Sequence, residues 1–171
     1  MPVWDRVVRA AHWLLVMSIA AAWFTRHGWG VWHEWAGYAS LLVVGARLAW
    51  GLLGTMSARF ATFVASPAAT LRYARQVLSG SEPRYLGHNP LGGWMVIALL
   101  SAVAVTGASG WLYTTDEYWG AEWVERVHSG SADALLVLVA LHVAGVLFTS
   151  LRHRENLVAS MIHGRKRPSG R

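Results

Sequence analysis

Four long apolar segments, separated by short polar ones, constrain this chain more than any other feature of its sequence. The segments cover about residues 7–25, 35–54, 91–113 and 131–151. Each is close to the roughly 20 residues that a helix needs to cross a bilayer. The composition agrees, since 54% of the residues are hydrophobic and 14% are charged. The sequence therefore predicts an all-α, integral membrane four-helix bundle.

Positive charges are unevenly distributed among the polar segments. Arginine and lysine gather at the start of the first apolar segment, between the second and third, and after the fourth, and such residues concentrate in cytoplasmic loops. The connection between the third and fourth segments is instead acidic, with Asp116, Glu117, Glu122 and Glu125. We therefore expect a multi-pass membrane protein with both termini in the cytoplasm. Because the positive charges come in short clusters, they do not indicate nucleic acid binding.

A shorter helix is expected between the second and third apolar segments. Ser66, Pro67 and Gly80 are typical start and stop signals of a helix, and Arg72 and Arg75 lie among apolar residues between them. This pattern predicts a short amphipathic helix on the membrane surface.

The ends of the chain complete the predicted organisation, a single membrane domain over residues 1–171. No small-residue cleavage site follows the first apolar segment, so we expect that helix to be retained. Residues 152–171 form a basic tail, which we expect to be disordered or associated with lipid beyond Arg165.

The chain contains no cysteine but eight histidines. Disulfides, iron–sulfur clusters and haem attached through cysteine are therefore excluded. A polar ring at membrane depth is costly unless it is paired or binds a metal. His128 and His142 are fourteen positions apart, which is almost four helical turns. Their rings should leave one helix face near opposite membrane surfaces, about 21 Å apart.

Depth in the membrane suggests a partner for each of these two histidines. His33 opens the second segment on the side where His128 lies, whereas His12 opens the first segment on the side of His142. The pairs His33–His128 and His12–His142 thus predict two metal sites, which suit two haems. Iron with two axial imidazoles has no open coordination position, which favours electron transfer over oxygen chemistry.

Three more polar residues are candidates for cofactor binding. Arg47 lies near the depth of His142 and would either bind a haem propionate or extend to the lipid headgroups. His88 could replace His12 as a ligand or line a pocket, and we favour the pocket. His153 follows the last segment and would contact lipid, a propionate or a quinone.

Several short motifs follow one another along nearly the whole chain. They are Val3-Trp-Asp-Arg, Arg9-Ala-Ala-His-Trp, Trp32-His-Glu-Trp-Ala-Gly-Tyr, Arg47-Leu-Ala-Trp-Gly, the stretch 85–93, His128 followed by His142-Val-Ala-Gly-Val, and His153-Arg-Glu-Asn-Leu-Val. In this order they resemble the bacterial cytochrome b561 family, which is related to the b-type cytochrome subunits of nickel–iron hydrogenases. The resemblance implies a bacterial inner-membrane location, two b haems, ligands at His12, His33, His128 and His142, and electron exchange with the quinone pool.

Two functions stay open at this point. In the first, the protein transfers electrons in a respiratory chain between quinone and a periplasmic redox protein such as a cytochrome c, which the acidic outer loop would attract if it is basic. In the second, it is a superoxide oxidase, for which the outer connections offer Arg26 and Arg126 against six acidic residues. A structural subunit with incidental histidines is a third alternative. The sequence leaves the oligomeric state open, a homodimer included.

Overall fold

The computed structural model describes residues 3–28 and 30–166, which contain seven helices. They are α1 (Arg6–Thr25), α2 (Gly30–Leu53), α3 (Phe60–Phe63), α4 (Pro67–Ser79), α5 (Pro90–Tyr113), α6 (Glu122–Arg152) and α7 (Leu157–His163). Four of these helices, α1, α2, α5 and α6, are long and apolar enough to cross a bilayer. The prediction of an all-α membrane bundle with four spanning helices is therefore confirmed. The last residues of the predicted basic tail, 167–171, lie outside the described residues.

Asp5 determines where the first helix begins. Its Oδ1 atom accepts hydrogen bonds from the backbone N–H groups of Val7 at 2.8 Å and Val8 at 3.1 Å. Its carboxylate also accepts hydrogen bonds from the Trp50 indole at 3.1 Å and the Thr55 hydroxyl at 2.9 Å. Burial raises the pKa of Asp5, but these hydrogen bonds outweigh that effect and hold the pKa below its usual value. One carboxylate thus caps α1 and joins it to the end of α2.

The short helix predicted between the second and third spans is confirmed as α4. The Ser66 hydroxyl accepts a hydrogen bond from the N–H of Ala69 at 3.3 Å, and Pro67 opens the first turn. Gly80 ends the helix in a left-handed conformation, with φ of 69°, which glycine adopts without steric cost. The helix packs against α5.

The spanning helices pack in a row and not in a closed square. Close packing joins α1 to α2, α2 to α5, and α5 to α6. The buried core of this row consists of Val44, Leu100, Val103 and Leu135. By contrast, α6 makes almost no backbone contact with α1 or α2.

The two ends of the bundle differ in chemistry. One end, which we call the terminal end, holds the segment before α1 and the segment after α7. There the N–H of Val3 donates a hydrogen bond to the carbonyl of Gly164 at 2.9 Å. The opposite end, which we call the acidic end, holds the connection between α5 and α6. There Glu122 and Glu125 lie in the first turn of α6, where the helix dipole favours negative charge.

Helix α6 begins well before the predicted limit near residue 131. Its 31 residues extend about 46 Å, which exceeds the roughly 30 Å of a bilayer core. The first turns of α6 therefore project beyond the hydrocarbon at the acidic end. Glu122 and Glu125 therefore belong to this projecting helix and not to a connecting loop, as their sequence positions suggested.

Candidate functional site

Two pairs of histidine rings face each other at opposite ends of the bundle. The centroids of the His33 and His128 rings are 6.0 Å apart, with their planes at 83°. The centroids of the His12 and His142 rings are 6.4 Å apart, with their planes at 52°. Each pair joins α6 to α1 or α2, the two spanning helices with which its backbone makes almost no close contact. The structure thus brings together the residues of both predicted pairs, while their role as ligands stays a prediction.

Backbone carbonyls fix the orientation of both rings at the acidic end. Nδ1 of His33 lies 2.9 Å from the carbonyl oxygen of Ala22, and Nδ1 of His128 lies 2.9 Å from that of Thr106. A carbonyl oxygen only accepts hydrogen bonds, so Nδ1 carries the proton in both rings. This leaves the lone pair on Nε2, which is the usual arrangement of a histidine that binds a metal through Nε2.

Gly110 on α5 leaves room for the ring of His128. A Cβ atom at this position would lie 2.9 Å from Cε1 and 3.0 Å from Nδ1 of that ring. Real Cβ atoms scarcely approach another atom this closely, so a side chain here would displace the imidazole. Glycine at this position therefore keeps the His128 ring where it faces His33.

The pair at the terminal end is supported differently. Nδ1 of His12 is buried and has no hydrogen-bond partner among the described residues. The Trp13 ring meets the His12 ring edge to face, with centroids 5.2 Å apart. Buried polar groups usually have a partner, so His12 differs in this respect from His33 and His128, whose Nδ1 atoms face carbonyl oxygens.

The number of ligands restricts what the pairs can bind. In the part of the chain that the structure describes, no group of three or more His, Asp or Glu side chains could hold a metal ion. A bare ion such as zinc takes about four ligands. Two facing imidazoles suit a metal whose remaining positions are already filled by a macrocycle, as in haem with two axial histidines.

Arg47 is turned into the protein near the terminal end. Arg47 is only 5% exposed to solvent. Its Nη2 atom donates a hydrogen bond to the carbonyl of Ala58 at 3.1 Å. The guanidinium carbon lies 4.7 Å from the centre of the Phe60 ring. Nη1 is buried without a partner among the described residues. Arg47 therefore does not extend to the headgroups, and one of its donors stays available.

His88 precedes α5 and is packed between two aromatic rings. The His88 centroid lies 4.8 Å from that of Trp4 and 4.4 Å from that of Phe63. Burial, and then the nearby charges of Arg47, Lys166 and His142, lower the pKa of His88 to about 4. The ring that faces His142 is that of His12, whereas His88 lines a cavity.

This cavity, the aromatic cavity, has a volume of about 710 Å³. It opens at the terminal end, and its wall includes Trp4, Phe63, Tyr73, Tyr85 and His88. Pockets that hold small molecules commonly combine such an apolar and aromatic wall with a few polar groups.

The remaining predicted residue and one unpredicted residue also lie at the terminal end. His153 ends α6 and interacts electrostatically with Glu82, and it does not line the aromatic cavity. Lys166 was not predicted to take part in the site, because its sequence position is that of one basic residue among several in the tail. It is 7% exposed, and its ammonium group lies 5.5 Å from the centre of the Trp4 ring.

Four spanning helices with facing imidazoles on different helices are features of membrane-bound b-type cytochromes. The family model of prokaryotic cytochrome b561 matches residues 3–164, and the chain therefore belongs to that family. It is a bacterial membrane protein that binds haem b and acts in electron transfer. No curated protein and no solved structure shows significant similarity to the chain.

Proposed function

We propose that this cytochrome holds two b haems and transfers electrons between quinone at the terminal end and a redox protein at the acidic end. The observation that carries the proposal is the pair of facing rings at each end of the bundle, with centroids 6.0 and 6.4 Å apart. In this proposal His33 and His128 are the ligands of one haem, and His12 and His142 are those of the other.

The distances between the rings fit a metal between them. Bonds from imidazole nitrogen to a metal are about 2.0 Å long. The centroid of a five-membered ring with bonds of about 1.35 Å lies about 1.15 Å from each ring atom. Two rings on opposite sides of one ion therefore have centroids about 6.3 Å apart. The observed separations of 6.0 and 6.4 Å bracket this value.

The gap between α6 and its two facing helices supports the same assignment. In each pair, the two imidazole rings face each other although the backbones of their helices make almost no close contact. A flat macrocycle between the helices would need this space. When bound, haem b supplies one-electron chemistry at iron. The chain contributes fixed imidazoles, held at His33 and His128 by the carbonyls of Ala22 and Thr106.

Arg47 is proposed to bind a propionate of the haem at the terminal end. Its unpartnered Nη1 atom supports this role, because a buried guanidinium donor without an acceptor is costly and a carboxylate is its usual partner. A propionate or quinone hydrogen bond from His153 stays a prediction with less support, since the interaction found for this residue is with Glu82.

The aromatic cavity is the proposed quinone site. Its aromatic wall suits a flat ring, and the neutral imidazole of His88 offers an N–H group to a quinone carbonyl. The electrostatic effect of His142 on His88 indicates that the cavity lies close to the histidine pair of the terminal end. We place this end in the cytoplasm, because the arginines in the first turns of α1 and between α2 and α5 belong to it.

The acidic end is proposed to receive a basic, periplasmic redox protein such as a cytochrome c. Four exposed acidic side chains at this end lie close together in sequence, those of Asp116, Glu117, Glu122 and Glu125. Complementary charge of this kind raises the rate of encounter between two proteins.

Superoxide oxidation receives less support than electron transfer to a protein. The guanidinium of Arg126 is 3.1 Å from the carboxylate of Glu122, and that of Arg26 lies over the Trp23 ring at 3.3 Å. The field at the acidic end therefore favours a cationic partner over a small anion.

The haem content of three histidine variants tests the proposal. Purified wild-type protein should contain two haems per chain, with the optical bands of reduced low-spin haem b. His142→Ala and His128→Ala should each lose one haem and retain the other, whereas His163→Ala, in an exposed position on α7, should retain both. One haem per wild-type chain would contradict the two-haem assignment. Unchanged haem content in either ligand variant would contradict the assignment of that ligand.

A further inference from the structure

A second cavity, the cationic cavity, opens at the terminal end and is not used by the proposed electron transfer. Its volume is about 880 Å³, and it lies between the first helical turns of α1 and the segment that follows α6. Four basic residues line its wall, Arg9, Arg154, Arg165 and Lys166. The wall also contains the carboxylate of Glu155.

The charges of this wall do not cancel. Glu155 is 8% exposed and accepts a hydrogen bond from Arg84 at 3.1 Å, and Arg84 lies outside the wall of the cavity. The carboxylate is thus already paired, while Arg154 and Arg165 are exposed. The cavity therefore favours an anion.

Arg9 connects the two sides of the cavity. Its Nε atom donates a hydrogen bond to the carbonyl of Met161 at 3.2 Å, and its Nη2 atom donates to the carbonyl of Ile162. These contacts hold the end of α7 against α1, so the wall of the cavity is a built part of the fold.

Arg154 adopts a backbone conformation that disfavours arginine. Its φ of 49° is the one positive value at a residue other than glycine within residues 3–28 and 30–166. Glycine or asparagine would adopt this conformation at lower cost. Strained positions of this kind are frequent at ligand sites.

Apolar side chains are exposed close to the same segment. Leu151 is 80% exposed, and Val158 and Ile162 are about half exposed, at 47% and 50%. Ile162 also belongs to the cavity wall. A cationic cavity next to exposed apolar groups matches the two parts of an anionic phospholipid, the phosphate headgroup and the acyl chains.

We propose that the cationic cavity binds the phosphate of an anionic phospholipid headgroup, with the acyl chains along Val158 and Ile162. Arg154 and Arg165 donate charge-assisted hydrogen bonds to the phosphate oxygens. This inference is independent of the haem ligands and of the quinone site.

Lipid binding by the purified holoprotein in neutral detergent tests the inference. Binding of phosphatidylglycerol and of phosphatidylcholine with the same acyl chains is measured by native mass spectrometry. The wild-type protein should prefer phosphatidylglycerol, and R154N/R165Q should bind it at least about tenfold more weakly, since each basic residue near an anionic lipid contributes about 1 kcal/mol. Asparagine at position 154 tolerates the left-handed backbone, so this variant should fold.

The matched control removes two charges from the same end of the bundle. Arg6 and Arg75 are exposed and line neither cavity, and R6Q/R75Q should bind phosphatidylglycerol as the wild type does. The visible spectrum of haem monitors folding in every variant. Equal binding of the two lipids, or equal weakening in both double variants, would overturn the proposal. Displacement of phosphatidylglycerol by millimolar inorganic phosphate would overturn the lipid assignment in favour of a free-anion site.

Discussion

Nδ1 of His128 lies 2.9 Å from the carbonyl oxygen of Thr106, on the neighbouring helix. The same ring is in contact with Gly110, four residues later on α5. One turn of α5 thus orients the imidazole through a hydrogen bond and leaves room for it through the absence of a side chain. A proposed ligand on α6 is positioned by a helix that contributes no ligand of its own.

Gly110→Ala should disturb the haem at the acidic end without removing a ligand. The added Cβ atom would lie 2.9 Å from Cε1 of His128, so the ring must turn or the two helices must separate. We expect a shifted low-spin ferric signal in electron paramagnetic resonance, and weakened retention of one haem. Ala108→Val, which adds more volume at an exposed position of α5, should change neither. Identical spectra for wild type and Gly110→Ala would contradict the positioning role.

His88→Phe should slow electron entry from quinol. The substitution retains an aromatic ring between Trp4 and Phe63 but removes the N–H group that would bind a quinone carbonyl. A hydrogen bond contributes about 1 kcal/mol, and leaving its partner unsatisfied costs more, so we expect a loss of about tenfold in the apparent second-order rate of haem reduction. Stopped-flow mixing with a quinol analogue measures this rate. The haem spectrum should not change, and His163→Phe should react at the wild-type rate.

Arg47→Gln should lower the reduction potential of one haem. A nearby positive charge stabilises the additional electron, and about 1 kcal/mol of such stabilisation corresponds to about 40 mV for one electron. A spectroscopic redox titration resolves the two haems. We expect the potential of the haem held by His12 and His142 to fall and the other to stay constant. Arg75→Gln, on the exposed side of α4, is the matched control, and an equal shift there would assign the effect to general charge.

The rate of electron transfer to a basic cytochrome c should fall as salt is added. Exposed charges are screened within about 8 Å at physiological ionic strength. Neutralising Asp116 and Glu117, which carry no ion pair among the described residues, should lower the low-salt rate and weaken its salt dependence. A cytochrome c with acetylated lysines serves as the control partner, since it should react slowly with both proteins. A rate that does not respond to salt would contradict the docking site at the acidic end.

Asp5 should make the fold sensitive to acid. Because its pKa is lowered in the folded protein, its contribution to stability is complete above the unfolded pKa of about 3.9 and is lost as pH falls through the folded value. Asp5→Ala should remove about 0.5–2 kcal/mol of capping energy at neutral pH. For a chain of this size that corresponds to a decrease of roughly 1–8 °C in melting temperature. Melting curves in detergent at pH 7 and below pH 4 should differ less for Asp5→Ala than for the wild type.

The four spans and the facing histidines could be predicted because hydropathy and the helical rise are properties of the chain itself. The distance from His128 to His142 follows from helix geometry, whichever helices surround them. The orientation of the His128 ring could not be predicted, because it depends on Thr106 and Gly110 of another helix. The spans contain several glycines, and the residues next to each glycine in the sequence do not indicate which of them lies against a histidine ring.

The terminal end was the least predictable part of the molecule. Basic residues near the C-terminus follow the pattern of a solvated tail, yet Lys166 is buried against Trp4, at the opposite end of the sequence. Asp5 similarly connects α1 to Trp50 and Thr55 through side chains that sequence patterns do not relate. Both cavities form where these distant segments meet.

The row of spanning helices also bears on biosynthesis. Each span packs against the span that precedes it along the chain, so a nascent chain can build the bundle in the order in which its helices leave the ribosome. Both histidine pairs, however, take one member from α6, the fourth of these spans. Neither proposed haem site can therefore be completed before α6 has been translated, and both haems must be inserted after that point. Chains truncated before α6 should insert in the membrane and remain colourless.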